Sequence, residues 1–235
     1  NIKVIIGHGV YTVQKDDFVI YSDVPAIVAW PEVSQSRLYQ QTPTQKHFHV
    51  CISYNQMIAE ISKRFTTIAI TGSNGKSSTT GMLIHTLYQQ DERFWLGIVW
   101  ALMPQYDNQW YLINDKALPD IQHLFEHIFN QKHQLDYDLL KKYFFVIEAC
   151  EYKNHFLGYD IDYSLITNIQ HDHIDFFPTA ESYMDAFRYL IGQTKKKVIL
   201  TPSATETLTH DRLEHFSSEK YIISEPYPFE SDYLI

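Results

Sequence analysis

Thr67-Ile68-Ala69-Ile70-Thr71-Gly72-Ser73-Asn74-Gly75-Lys76-Ser77-Ser78-Thr79-Thr80-Gly81-Met82-Leu83 runs from an apolar stretch into a glycine turn, a lysine, hydroxyl side chains and residues suited to a helix. The order strand, glycine loop, helix is that of a cradle for a nucleotide phosphate. Glycines let the backbone fold back so that several N–H groups face one anion, and the helix N-terminus adds roughly half a unit of positive charge. In such a loop Lys76 reaches the β- and γ-phosphates and Ser77 offers its hydroxyl to a magnesium ion. The loop is short, with only Ser73 and Asn74 between Gly72 and Gly75. The alternative is an ordinary turn followed by a chance lysine; the apolar run before it and a helical Met82, Leu83, Leu87 stripe after it speak for the cradle.

Two more apolar runs end in residues that carry chemistry. Tyr143-Phe144-Phe145-Val146-Ile147 delivers Glu148-Ala149-Cys150-Glu151-Tyr152, and Tyr163-Ser164-Leu165-Ile166-Thr167-Asn168 runs out into Ile169-Gln170-His171-Asp172-His173-Ile174-Asp175. In an open α/β sheet ligands gather at the carboxyl ends of strands, so both segments and the phosphate loop should converge on one crevice. A carboxylate and an imidazole placed there are candidate magnesium ligands.

Taken in order, Gly72-Ser73-Asn74-Gly75-Lys76-Ser77, Glu148-Ala149-Cys150-Glu151 and Asn168 to Asp175 resemble the central domain of the Mur ligases of peptidoglycan synthesis. Those enzymes couple ATP cleavage to formation of an amide bond between a UDP-sugar-linked carboxylate and an amino acid. The resemblance implies an α/β fold: a partial Rossmann-like N-terminal domain, then a P-loop-type central ATP-binding domain with a mostly parallel sheet. Val4 to His8 and Asp17 to Ser22 resemble the end of the UDP-binding domain in the branch that joins L-alanine to UDP-N-acetylmuramate, and Tyr54 to Ile61 resembles the helix leading into the central domain. The implied boundaries are 1–48 for the UDP-sugar-binding part, 49–65 for the connecting helix and 66–235 for the central domain, with an insertion at about 93–142. The chain begins without methionine, inside what looks like a nucleotide-binding fold. It is therefore expected to be truncated at both ends, without the C-terminal domain that selects the amino acid.

Carried over residue by residue, the resemblance assigns Gly72, Ser73, Asn74, Gly75, Lys76, Ser77 and Ser78 to ATP. It assigns Ser77, Glu148 and His173 to Mg2+, and Lys76, Glu148 and His173 to catalysis. Asn168, Asp172 and Asp175 would orient His173 and the strand end beside the phosphates, while His8 and Ser22 match positions near the UDP-sugar diphosphate. Three departures stand out. The L-alanine-adding branch usually has histidine where this chain has Asn74. The sister ligases hold a carbamylated lysine some fifteen residues after the position of His173, where this chain has Phe187 or Arg188, and arginine forms no carbamate. Finally, Phe94 to Lys142 is aromatic and polar, with Ile121, Leu124, Phe125, Ile128 and Phe129 at helical spacing.

Composition sets outer limits. The chain has 235 residues, 45% hydrophobic and 15% aromatic, enough to bury a core. A net charge of -9 argues against a nucleic-acid partner. Lys195-Lys196-Lys197 reads as a solvated strand entry. Two cysteines, Cys51 and Cys150, are too few to staple a secreted scaffold, and no apolar run approaches the ~20 residues of a membrane span, so a cytoplasmic location is expected. A zinc site at His171 and His173 and a reactive thiol at Cys150 are weaker alternatives to metal binding by Glu148 and packing by Cys150. At the level of activity, a murein tripeptide recycling ligase, a P-loop kinase or ATPase and a non-catalytic nucleotide-binding fragment stay open beside UDP-N-acetylmuramate–L-alanine ligation.

Overall fold

The computed structural model describes residues 18–21, 50–117, 119, 137–208 and 220–223. The chain divides into two compact units, Asn1–Glu60 and Ile61–Ile235. In the first, β1 (Phe18–Tyr21) lies parallel to β2 (Val50–Ser53), with Phe18 opposite Val50. Helix α1 (Tyr54–Ser62) follows directly, so the stretch 49–65 read as a connecting helix begins with strand residues and is helical from Tyr54 to Ser62. His8, Ser22 and the anticipated helix at 121–129 lie outside the described residues.

The second unit is built on a seven-stranded sheet. Its members are β3 (Thr66–Thr71), β4 (Phe94–Met103), β5 (Gln109–Ile113), β6 (Phe144–Glu148), β7 (Tyr163–Ile166), β8 (Lys197–Leu200) and β9 (Tyr221–Ile223). The spatial order is β5-β4-β6-β3-β7-β8-β9, and every pair is parallel except β4 with β5. Strands covered on both faces are apolar nearly throughout rather than alternating, which is why TTIAIT and FFVIE read as strands without a period of two.

The chain leaves β3 through helix α2 (Lys76–Gln90) to β4, returns to insert β6 between them, then crosses to the other side of β3 as β7. The carboxyl ends of β3, β6 and β7 therefore lie side by side at a point where strand order reverses, the location that collects ligands in open α/β sheets.

Phe94–Met103, the start of the segment read from the sequence as an insertion, is an interior strand of the sheet. Its first six residues are buried, paired with β6 on one side and β5 on the other. Helix α2 packs on it through a core of Ile70, Ile84, Phe94, Val99, Met103 and Val146. Gly97 makes that packing possible: a Cβ there would lie 2.5 Å from Ile84 Cγ1. Overpacking of this kind costs about 1–3 kcal/mol, so Gly97→Val is expected to lower unfolding free energy by that order in a denaturant titration, with Ile84→Ala in the same chain relieving part of the loss. The stripe expected on α2 is rotated from the one the sequence suggested. Leu83 and Leu87 pack inward with Ile84, while Met82 is 63% exposed, because the buried positions Thr80 and Ile84 set a face that Met82 falls outside.

Helix α3 (Ala180–Gln193) buries Tyr183, Ala186, Phe187, Leu190 and Ile191, the spacing of one helical face. Thr179 caps it, its hydroxyl accepting from Ser182 N at 3.1 Å while Thr179 N donates to Ser182 Oγ. Phe187 meets Phe156 ring edge to face at 5.5 Å, which ties α3 to the 3-10 segment Tyr152–Gly158 after β6. Helix α4 (Pro202–Leu208) follows β8. The Lys195–Lys197 run is more than a solvated entry: Lys195 Nζ lies 2.6 Å from Asp160 and Lys196 Nζ 3.6 Å from Asp162. Asp162 in turn accepts from Thr67 N at 3.0 Å, so Lys196, together with Lys141 at 3.4 Å, balances a carboxylate that holds the start of β3.

Candidate functional site

The loop between β3 and α2 is locked by its own glycines and by the segment after β7. Gly72 has φ 128°, a conformation that L side chains rarely adopt, and a Cβ there would sit 2.2 Å from Thr167 Oγ1 and 2.7 Å from Asn168 O. Gly75 has φ 79° and leads into α2. Asn168 clasps the loop from both sides: its Oδ1 accepts from Asn74 N at 3.0 Å and its Nδ2 donates to Asn74 O at 2.8 Å. Thr167 Oγ1 donates to the same carbonyl at 2.6 Å, and Asn74 Nδ2 donates to Gln170 Oε1 at 3.0 Å. Asn168 thus serves the phosphate loop directly.

At the head of α2, Ser77 Oγ donates to Glu148 Oε1 at 2.8 Å, so β3 and β6 deliver these two oxygens to one place. The other carboxylate oxygen accepts from Trp100 N at 2.7 Å, and Trp100 Nε1 donates to Glu148 O at 3.0 Å. Both contacts come from a bulged part of β4, where the register with β5 shifts between Ile98 and Met103. Bulges re-aim backbone and side chains beside sites, and this one fixes Glu148, which is 3% exposed. Ser78 is exposed beside Ser77.

The residue that the sequence reading left without a role is Glu151. It is completely buried, and its Oε1 receives Lys76 Nζ at 3.2 Å and the Tyr183 hydroxyl at 3.0 Å, with His173 Nε2 at 3.7 Å. Its Oε2 has no hydrogen-bond partner among the described residues. Lys76 Nζ also donates to Gly72 O at 2.5 Å and Ser73 O at 3.3 Å. The Tyr183 hydroxyl lies 2.8 Å from Ser73 Oγ, which itself donates to Gln170 O at 2.6 Å. Burial, together with the Glu151 carboxylate, pushes the Tyr183 phenol well above its ordinary range against the opposing pull of Ser73, so it remains a hydrogen-bond donor. One buried carboxylate therefore joins the loop lysine, the loop serine through Tyr183, and the histidine of the third motif. The signal was present as the second glutamate of Glu-Ala-x-Glu; the partner tyrosine, on a helix far along the chain, had none. Tyr183→Phe removes two hydrogen bonds worth about 1 kcal/mol each and should weaken ADP binding several-fold in a calorimetric titration while the chain stays folded.

His173 adopts φ 53°, a left-handed conformation whose strain is characteristic of functional sites. Asp172 Oδ1 accepts from His173 N at 2.7 Å, and the Tyr152 ring lies 4.7 Å from the imidazole. Asp175 accepts from the Tyr152 hydroxyl at 2.7 Å, which holds its carboxyl below the ordinary range. His171 Nε2 donates to Phe177 O at 2.7 Å, and among the described residues no three His, Cys, Asp or Glu side chains converge as a metal cluster. The zinc alternative therefore has no geometry behind it. Of the three expected metal ligands, Ser77 and Glu148 are brought together, whereas His173 is directed to Glu151. An adjacent hydroxyl and carboxylate are an all-oxygen donor pair that suits magnesium.

The remaining expectations resolve simply. Burial and the neighbouring Glu151 push the Cys150 thiol above its ordinary value, so little thiolate forms at neutral pH. Cys150 should carboxamidomethylate far more slowly in the folded than in the urea-unfolded chain, read by peptide mass spectrometry. Phe187 is core, and Arg188 pairs with Glu181 and Asp185 on the helix surface. No helix among the described residues is long and apolar enough to cross a membrane.

Comparison with known proteins gives this geometry a context. Residues 70–224 match the family model for the Mur ligase middle domain. Among solved structures, the chain is similar to the UDP-N-acetylmuramate:L-alanyl-gamma-D-glutamyl-meso-diaminopimelate ligase from Neisseria meningitides, with 19% identity, a TM-score of 0.57, and coverage of 87% of this chain and 57% of that one. It is also similar to the UDP-N-acetylmuramate-alanine ligase from Thermotoga maritima, with 17% identity, a TM-score of 0.56, and coverage of 89% and 39% respectively. The chain thus spans between about two fifths and three fifths of the length of these two proteins, and at such identity the likeness is one of fold.

Proposed function

Because the chain belongs to the Mur ligase family through its middle domain, we propose that it is the ATP-binding part of an ATP-dependent amide ligase acting on a peptidoglycan precursor. Within the family we favour joining L-alanine to the lactyl carboxylate of UDP-N-acetylmuramate, in the cytoplasm. The observation that carries the ligase reading is the meeting of Lys76, Ser77, Glu148 and Glu151 at adjacent strand ends, with Ser77 2.8 Å from Glu148 and Lys76 3.2 Å from Glu151.

In this reading the loop amides from Ser73 to Ser77 and the Lys76 ammonium hold the β- and γ-phosphates of the substrate ATP. They offset the charge that otherwise repels an incoming carboxylate. Ser77 and Glu148 would hold Mg2+, with His173 at the rim acting through water; the ion, when bound, would neutralise phosphate charge. The substrate carboxylate attacks the γ-phosphorus, the bond to the β-phosphate oxygen breaks, and ADP leaves. The amine then attacks the acyl phosphate carbon and phosphate departs, a far better leaving group than hydroxide. Glu151 keeps Lys76 and Ser73 in place through both steps.

ADP release by the full-length protein tests the proposal. Release that requires both UDP-N-acetylmuramate and L-alanine is the expected result. Release with free tripeptide in place of L-alanine would move the protein to recycling, a second reading for which the Neisseria structure is a fold-level precedent. Release without any acceptor would replace the ligase reading with an ATPase.

A further inference from the structure

Four oxygens stand in a row behind the phosphate loop: Gln170 O, Ser73 Oγ, the Tyr183 hydroxyl and Glu151 Oε1, separated by 2.6, 2.8 and 3.0 Å. The inner end of the row is closed to water, since Tyr183 and Glu151 are completely buried. A hydroxyl carries one hydrogen, so Ser73 and Tyr183 bring two hydrogens to these three contacts. One contact is therefore always without a hydrogen. Ser73 Oγ also accepts from Gln170 N at 2.8 Å, which holds it against Gln170 and directs its own hydrogen to Gln170 O. The Tyr183 hydrogen is left to serve either Ser73, in the loop, or Glu151, beneath it.

Lys76 decides between the two. An ammonium has three hydrogens, and those of Lys76 already have three acceptors: Gly72 O at 2.5 Å, Ser73 O at 3.3 Å and Glu151 Oε1 at 3.2 Å. While the lysine bonds Glu151, the carboxylate charge is met and the Tyr183 hydrogen is available to Ser73. A bound phosphate chain takes lysine hydrogens and adds negative charge of its own. Each further phosphate therefore leaves Glu151 with less of the lysine and a stronger demand for a donor, and Tyr183 is in place at 3.0 Å. Its ring is packed edge to face by Phe177 at 5.1 Å and Phe187 at 5.2 Å, so the hydroxyl changes acceptor by turning about its C–O bond while the ring stays still.

We infer that Tyr183 is a positioning residue that makes the loop prefer a nucleoside triphosphate to the diphosphate. With the diphosphate bound, its hydrogen stays on Ser73. With a γ-phosphate bound, the hydrogen turns to Glu151 and makes up for what the carboxylate loses of Lys76. A hydrogen bond to a charged acceptor is roughly twice as strong as one to a neutral group, so the exchange stabilises the triphosphate complex. This role rests on the ATP-dependent ligase reading and adds to it a residue, outside the loop and on another helix, that disfavours the product nucleotide.

The experiment is calorimetric titration of the full chain, with magnesium, using ADP and the non-hydrolysable β,γ-imido analogue of ATP as separate probes. The titrations are repeated on Tyr183→Phe, on Glu151→Gln and on the double variant, with circular dichroism to check folding. The expected result is that Tyr183→Phe weakens the analogue by about five-fold or more beyond its effect on ADP, the step from a neutral to a charged acceptor. In the Glu151→Gln background the carboxylate charge is gone, so the same change should weaken both nucleotides alike. Ser73→Ala gives an independent reading, because the Tyr183 hydrogen then has only Glu151 to serve; preference for the analogue over ADP should rise, even as both bind more weakly. Equal losses for the two nucleotides in Tyr183→Phe would assign the compensation of Glu151 to His173, 3.7 Å away, and overturn the inference alone. A discrimination that survives Glu151→Gln, or a preference that Ser73→Ala leaves unchanged, would do the same. Failure of the wild-type chain to bind ADP overturns the ligase reading and this inference with it.

Discussion

Lys76→Ala should lower ATP-dependent turnover of the full-length protein by ~10²–10³-fold, the loss usual when one preorganised donor to a developing negative charge is removed, and should also destabilise the fold. Activity falls because the ammonium is the charge of the phosphate loop. Stability falls because Glu151 is completely buried and Lys76, at 3.2 Å, is its cationic partner. Breaking a buried pair from one side leaves an uncompensated charge at a cost of about 3–5 kcal/mol. The two effects separate in a double variant. Lys76→Ala with Glu151→Gln removes the orphaned charge while an amide still accepts from Tyr183, so unfolding free energy should recover most of its loss while turnover stays down. A merely structural lysine would show recovery of both, and a lysine unconnected to Glu151 would show no coupling in the cycle.

Gly72→Ala should be the most damaging glycine-to-alanine change among the described residues. The added carbon would stand 2.2 Å from Thr167 Oγ1, 2.7 Å from Asn168 O and 2.9 Å from Asn168 N, and the last two are backbone that cannot swing aside. The residue would also have to hold φ 128°, a strained conformation costing about 1–3 kcal/mol for a side-chain-bearing residue. The only relief is to push the phosphate loop away from the segment after β7, which undoes the clasp between Asn168 and Asn74. The expected outcome is a loss of ADP affinity beyond a hundred-fold in a calorimetric titration, with a Tm lowered by several degrees. Gly75→Ala shares a positive φ but meets nothing within 4 Å, so it should cost distinctly less; equal losses at the two glycines would contradict the clash argument.

How far the sequence could be read follows from where each signal resides. The phosphate loop, the Glu148 strand and the Asn168 to Asp175 segment were legible because each joins an apolar run to polar residues at its end, and parallel topology turns three such ends into one site. Phe94–Met103 was not legible as a sheet strand. A strand buried on both faces carries no period of two, and its bulge at residues 99–102 exposes the apolar side chains of Trp100 and Leu102. Glu151 and Tyr183 escaped because their role is made by convergence of residues 32 apart in sequence on a lysine 75 residues earlier, and no local spacing encodes that. His173 was placed on the metal from its motif. The structure gives it a left-handed backbone and aims it at Glu151, a consequence of the loop's path rather than of residue type.

The central claim is that Lys76, Ser77 and Glu148 form the seat of the ATP phosphates. A crystal structure of the chain with a non-hydrolysable ATP analogue and magnesium tests it most directly. The expected result is the β-phosphate on the amides of residues 73–77, Lys76 Nζ moved from Gly72 O onto the phosphates, and the ion between Ser77 and Glu148. An ordered nucleotide bound elsewhere, with Lys76 still on Gly72 O and Glu151, would contradict it.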